Sequence, residues 1–243
     1  AEKSAKRAPP RFPLPFAVGA AAAILYLSFP AAKFNFDGVA CAISVELGNP
    51  RFLVHGNHVA YGALGWLTHA VLGLFGYGGP ALASLQVLSS LLGAAGVAAF
   101  CLLLLNLGFA PPLAAAASAG LAVSRLYWTW SLEAQVYPLG CAFMLWAAAE
   151  LAKGKPRPEV AGLLQAGAVL GHVGHLMLAP AAWALLPDAR SRRRWAAALV
   201  GATALGYLVA VVFFVRPSSL ADLRGWLLGS TALSVDRRFM WLG

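Results

Sequence analysis

From Ala81 to Leu105 the sequence carries no charged residue. A soluble helix of that length needs one polar face, and this run has none. At about 1.5 Å per residue it is long enough to cross the ~30 Å hydrocarbon layer of a bilayer. In lipid such a segment must satisfy its own backbone hydrogen bonds, which dictates a helix. Comparable apolar segments cover 16–32, 58–76, 111–127, 133–152, 159–187 and 195–215. The chain of 243 residues is 60% hydrophobic and 11% charged, where a soluble domain is about 25% charged. The expected fold class is therefore all-α, a polytopic transmembrane helix bundle. A membrane barrel would need alternating ten-residue segments, which are absent. Segment 16–32 follows Lys3, Lys6, Arg7 and Arg11. It reads as an anchor, because no small-residue cleavage site followed by a soluble domain appears. The net charge of +9 reads as loop charge that sets orientation rather than as a nucleic-acid surface. Cys41, Cys101 and Cys141 are scattered, and the last two read as small packing residues.

Lys and Arg concentrate at the N-terminus, at 153–157 and at 190–194. The positive-inside rule puts all three on the cytoplasmic side. If every apolar segment crossed once, the middle cluster would face outside. Two adjustments remove the conflict. Segment 58–76, with His58, His69 and many glycines, lies in the membrane without crossing. Segment 159–187 would measure roughly 43 Å as one helix, so it divides into a hairpin, 159–172 and 175–187, around a Gly-rich centre. The path then leaves a large first extracytoplasmic loop, 33–80, carrying interfacial helices. Residues 1–215 form the transmembrane module, and 216–243 begin a further extracytoplasmic segment. The locality expected is a bacterial cytoplasmic membrane with the N-terminus inside.

This topology collects Asp37, Glu46, His55, His58, Arg125, Glu133, His172 and His175 on the outer side. Asp37 is either the cap of a short helix over 37–47 or a carboxylate that acts as a base. Glu46 falls on the opposite side of that helix. Glu133 follows Ser131 and sits among Tyr127, Trp128, Trp130 and Tyr137. It is either a first-turn acid of a helix that Ser131 caps or a site residue, and Arg125 either pairs with it or holds a phosphate. His55 with His58, and His172 with His175, stand three residues apart. They are either metal ligands or groups facing an anionic phosphate. No carboxylate or cysteine stands at a matching spacing, so a divalent metal is possible but not favoured, and no cofactor is firmly indicated.

The order of these features resembles the membrane glycosyltransferases of the GT-C fold, in the branch like protein O-mannosyltransferases and lipid A aminoarabinose transferases. The carrying residues are a basic N-terminus and span, then "FNFDG" and the histidine-bearing "HVAYGAL". The element "WSLEAQVY" follows, then the hairpin "GAVLGHVGHLMLAP" and a cytoplasmic Arg cluster. The resemblance covers most of 14–215. It implies inverting sugar transfer from a polyprenyl-phosphate donor to a protein, lipid or glycan acceptor on the extracytoplasmic side. It assigns Asp37 as the catalytic or acceptor-activating carboxylate and Glu133 as an acid lining the site, with His172 or His175 near the carrier phosphate. Asp37 and Glu133 are then the expected catalytic residues, and Glu46, His55, His58, Arg125, His172 and His175 the expected substrate-binding ones. Two departures stand out. The paired acidic motif is missing, since Asn35 and Gly38 flank Asp37 at the relevant positions. The chain also ends at Gly243, short of the spans that family members carry, which suggests truncation. The competing expectation is a transporter or lipid-binding scaffold using the same pocket. A hydrolase is disfavoured because no nucleophile stands beside a base, and a haem or quinone protein because its histidines should sit on facing helices.

Overall fold

A computed structural model describes residues 13–34 and 36–228. The basic segment Lys3 to Arg11 and the end of the 216–243 stretch lie outside the described residues. Among those described, every regular element is helical. In chain order they are α1 (Pro13–Ser28), α2 (Phe36–Leu47), α3 (Pro50–Leu53), α4 (Tyr61–Leu74), α5 (Ala81–Asn106) and α6 (Pro111–Val123). Then follow α7 (Arg125–Leu132), α8 (Tyr137–Leu151), α9 (Pro158–Gly171), α10 (Ala179–Leu185), α11 (Ala189–Val209) and α12 (Leu220–Leu228). A 3-10 turn, Val173–Leu178, joins α9 to α10, and a π turn, Ala210–Val215, prolongs α11.

Helix α5 is the central post, with α1, α2, α4, α6, α7 and α8 packed around it. It and the continuous helix 189–215 are long and apolar enough to cross a membrane. Four shorter apolar helices accompany them. The two long helices differ in setting: α5 is more than half buried, while 189–215 is largely exposed on its apolar surface.

Helix α5 also carries a buried polar stripe, Gln86, Ser89 and Ser90, at the i, i+3, i+4 spacing of one helix face. The stripe serves the last carbonyls of α7, the non-helical backbone that links it to α8, and Ala31 beyond α1. Gln86 Nε2 donates to Ala31 O and Leu132 O, at 2.9 and 3.2 Å. Ser90 Oγ donates to Ser131 O at 3.0 Å. Ser89 Oγ donates to Gln135 O and accepts from Gln135 N–H, at 3.2 and 3.1 Å. Its one proton being spent, Tyr61 OH must donate to it in their 2.9 Å contact. A buried linker with unpaired carbonyls would be costly, and these side chains remove that cost.

The linker changes two expected boundaries. The helix expected over 133–152 starts only at Tyr137, where Pro138 occupies the first turn. Glu133 ends α7 in extended geometry (φ −87°, ψ 160°), so it is not a first-turn acid. Ser131 caps nothing, because its Oγ donates back to Tyr127 O at 2.7 Å. The segment expected over 111–127 likewise divides at Ser124, which is extended.

The expected hairpin over 159–187 has its break at His172, in extended backbone (φ −162°, ψ 123°). The flanking glycines do not make the turn. The 3-10 turn then reverses the chain, so that Ala182 and Leu186 pack with Ala161 and Ala166. Pro180 lies in the first turn of α10, where its missing N–H costs nothing, and it does not bend the helix.

Candidate functional site

The loop between α3 and α4 folds on itself, with His58 N–H donating to His55 O at 3.1 Å. The two imidazoles stack at 4.4 Å and 19°. This loop docks onto the end of α9 through two backbone bonds. Ala60 N–H donates to Leu170 O at 3.0 Å, and Val173 N–H to Asn57 O at 2.8 Å. The second histidine pair is thereby carried to the first. His172 and His175 stand edge-on at 6.4 Å. Tyr137 lies 5.6 Å from His172, and Trp130 stacks on Tyr137 at 4.5 Å. Position 140 must be glycine for this, since a Cβ there would collide with the His175 ring. The loop is further held from α11 and α12. Tyr207 OH donates to Gly56 O at 2.7 Å, Trp226 Nε1–H to Val54 O at 3.2 Å, and Arg51 pairs with Asp222.

Two histidines share a local device. Asn57 N–H donates to His55 Nδ1 at 3.3 Å, and Gly174 N–H to His172 Nδ1 at 3.1 Å. Each bond assigns the tautomer, leaving the proton on Nε2. His55 and His172 therefore both present an Nε2–H donor while uncharged. Burial pushes the pKa of all four imidazoles below its ordinary value. His58 goes down to about 4, with His55 and His172 adding repulsion. For His55 the carboxylate of Asp37 opposes the shift.

That carboxylate is placed by packing. Asp37 is exposed in the first turn of α2. The next residue, Gly38, lies so close to the α7–α8 linker that a Cβ there would come within 2.6 Å of Ala134 O. Asp37 and Glu133 thus flank a single backbone contact. Glu133 accepts from Gln135 Nε2 at 3.3 Å, and burial raises its pKa.

Six of the eight expected residues lie in this neighbourhood: Asp37, Glu133, His55, His58, His172 and His175. Among the described residues, no contact places the other two there. Glu46 Oε1 accepts from Ala81 N–H at 3.0 Å and caps α5. Arg125 is exposed at the start of α7, and among the described residues it forms no ion pair with Glu133. Nor does any group of three metal-binding side chains come together among the described residues.

Beneath the histidines lies a cavity of about 390 Å³. Val54, Val59 and Leu170, each next to or near a site histidine, line it together with Leu139, Phe143 and Phe214. Its lining is almost wholly apolar. The π turn supplies Ala210 and Phe214 to it, and such turns often mark functional positions.

Sequence reasoning missed the supports of this site. Ser89 and Gln86 were signalled only as polar interruptions of an apolar run, "SLQVLSS". Tyr207, Trp226 and Asp222 act across more than 150 residues of sequence, and nothing local marks them. Compared with known proteins, the chain matches no described family, no curated protein and no solved structure.

Proposed function

We propose that this chain is a membrane glycosyltransferase that moves a sugar from a polyprenyl-phosphate donor to an acceptor hydroxyl. One observation carries the reading: a cluster of uncharged histidines, with Asp37 in electrostatic reach, sits over an apolar cavity. That pairing suits an amphiphile with an anionic head and a hydrocarbon tail. The isoprenoid enters between Val59, Leu139 and Phe143, and the phosphate meets the Nε2–H groups of His55 and His172. The exposed face of 189–215, with Leu205, Leu208, Val212 and Phe213 uncovered, supports insertion in a bilayer. So does the apolar character of the shorter helices. The resemblance to GT-C enzymes supplies the reaction class.

In this mechanism the Asp37 carboxylate takes the proton of the acceptor hydroxyl. The hydroxyl oxygen attacks the anomeric carbon, and the bond from that carbon to the phosphate oxygen breaks with inversion. The leaving phosphate gains negative charge, and imidazole donors already in place stabilise it without reorganising. Glu133, across the Gly38–Ala134 contact, orients the acceptor.

The apolar cavity equally favours a second reading, a lipid-binding scaffold or transporter without chemistry. Asp37→Asn separates the two. The glycosyltransferase reading requires loss of transfer from a polyprenyl-phosphate sugar with lipid binding retained. Full transfer activity in that variant would remove the base and overturn the mechanism.

A further inference from the structure

The opposite end of the bundle holds a second cavity, of about 310 Å³, between α5, α8 and α9. Its wall is apolar, from Leu102, Val160 and Leu164, with Trp146 beside them. Its rim is basic. Glu150, almost fully buried, accepts from Arg157 N–H, Nε and Nη2 at 3.1, 2.9 and 3.1 Å, and from Lys153 Nζ. One carboxylate thus holds two cations at the mouth of the cavity and leaves a net positive charge. Lys153 keeps further N–H donors, and so does Arg157 at Nη1. The surroundings have the same sign: the flanking 153–157 and 189–194 segments hold seven Lys and Arg residues and no acid.

We propose that this cavity binds an anionic phospholipid of the leaflet at that end. The lipid phosphate sits on Lys153 and Arg157, and the glycerol and first methylenes of a chain lie on Leu102, Val160 and Leu164. A basic recess between membrane helices on the positive side faces the leaflet where anionic lipid is available. The apolar wall decides for a lipid over a free phosphate, which would gain nothing from it. The buried Glu150 fixes two otherwise mobile side chains before the lipid arrives, which lowers the ordering cost of binding. The proposal rests on membrane insertion alone and not on sugar transfer.

The test uses the full chain in a neutral detergent and reads its unfolding temperature. Dioleoyl phosphatidylglycerol, phosphatidylcholine of the same chains, and sn-glycerol 3-phosphate are the three additions. Phosphatidylglycerol is expected to raise the midpoint by several degrees, and the other two to leave it unchanged. Lys153→Gln, which leaves Arg157 bonded to Glu150, loses most of that rise, while Lys155→Gln keeps it. Leu164→Phe, which fills the cavity, also loses it and stands in should Lys153→Gln fail to fold. An equal rise in all three variants overturns the proposal. So does an equal rise from phosphatidylcholine or from glycerol phosphate. Transfer activity is unaffected by any of these outcomes, so the glycosyltransferase reading stands or falls separately.

Discussion

The two ends of the bundle handle buried polar groups in opposite ways. At the histidine end, burial holds four imidazoles uncharged, and backbone N–H groups choose the tautomers of His55 and His172. At the basic end, a buried carboxylate stays charged because two cations grip it. The first arrangement has unused Nε2–H donors, and the one carboxylate that acts on it, Asp37, reaches His55 through space. The second is already an ion-pair network and offers only its surplus. On this contrast rest the two proposals, chemistry on a charged leaving group at the first end and a resident lipid at the second.

The comparison breaks most visibly at Asp37. Asp37→Asn keeps the size of the side chain and removes the base. Transfer should fall by 10²-fold or more, the range for loss of a general base, with unfolding unchanged. A radiolabelled polyprenyl-phosphate sugar assay reads this directly. A comparable loss from Lys153→Gln would show that the two ends do not divide the work as described.

Ser89→Ala tests whether the histidine end depends on the stripe inside α5. It leaves Gln135 N–H, Gln135 O and Tyr61 OH without a partner in a fully buried setting. The cost should be about 1–3 kcal/mol, read as a lowered midpoint in a denaturant or thermal scan. Glu133 and Gly38 both depend on the linker that Ser89 holds, so activity should fall with stability. A stable, active Ser89→Ala protein would mean that the linker is held by its neighbours alone.

The helical class and the two long apolar helices were legible because an uncharged run of that length leaves few alternatives. The pairing of histidines by spacing was legible too, and so was the reversal within 159–187, which followed from length and charge. What escaped notice was set by contacts distant in sequence. Glu133 looked like a first-turn acid because Ser131 and the apolar run after it imitate a helix start, yet Pro138 delays α8 to Tyr137. Glu46 looked like a site acid because nothing near it shows that the N–H of Ala81, 35 residues on, needs an acceptor. The glycines at 171 and 174 drew attention from His172, whose extended backbone any residue can adopt.

Acid should separate the ends in a graded way. Histidines depressed in the folded state take up protons later than they do in the unfolded chain, whose imidazoles titrate near ~6.5. As pH falls below that value the unfolded state binds protons first, so stability declines, down to about pH 4 for His58. His58→Phe should flatten this slope in midpoints measured between pH 7 and 5. An anionic headgroup in the site reverses the sign for binding. It favours the protonated imidazoles, so affinity for a polyprenyl-phosphate sugar, whose phosphodiester keeps its charge, should strengthen as pH falls below ~6.5. A binding curve independent of pH would mean that the phosphate lies away from the imidazoles.

The smallest effect should come from an exposed pair at the basic end. Arg194 reaches Glu159 from one helix to the next, with both side chains more than a third exposed. Water already solvates both charges, and holding two long side chains together costs rotamer entropy, so such pairs contribute ~0.2–1 kcal/mol at most. Arg194→Gln should therefore shift the unfolding midpoint barely beyond error, and added salt should erase even that. Arg157→Gln, two residues before Glu159, is the matched control. It strips two side-chain bonds from a buried carboxylate and leaves Lys153 as the remaining cation, so its cost should exceed that of Arg194→Gln and survive salt. If the two substitutions behaved alike, Glu150 would be reached by water, and the rim of the lower cavity would have no fixed cations to offer a lipid.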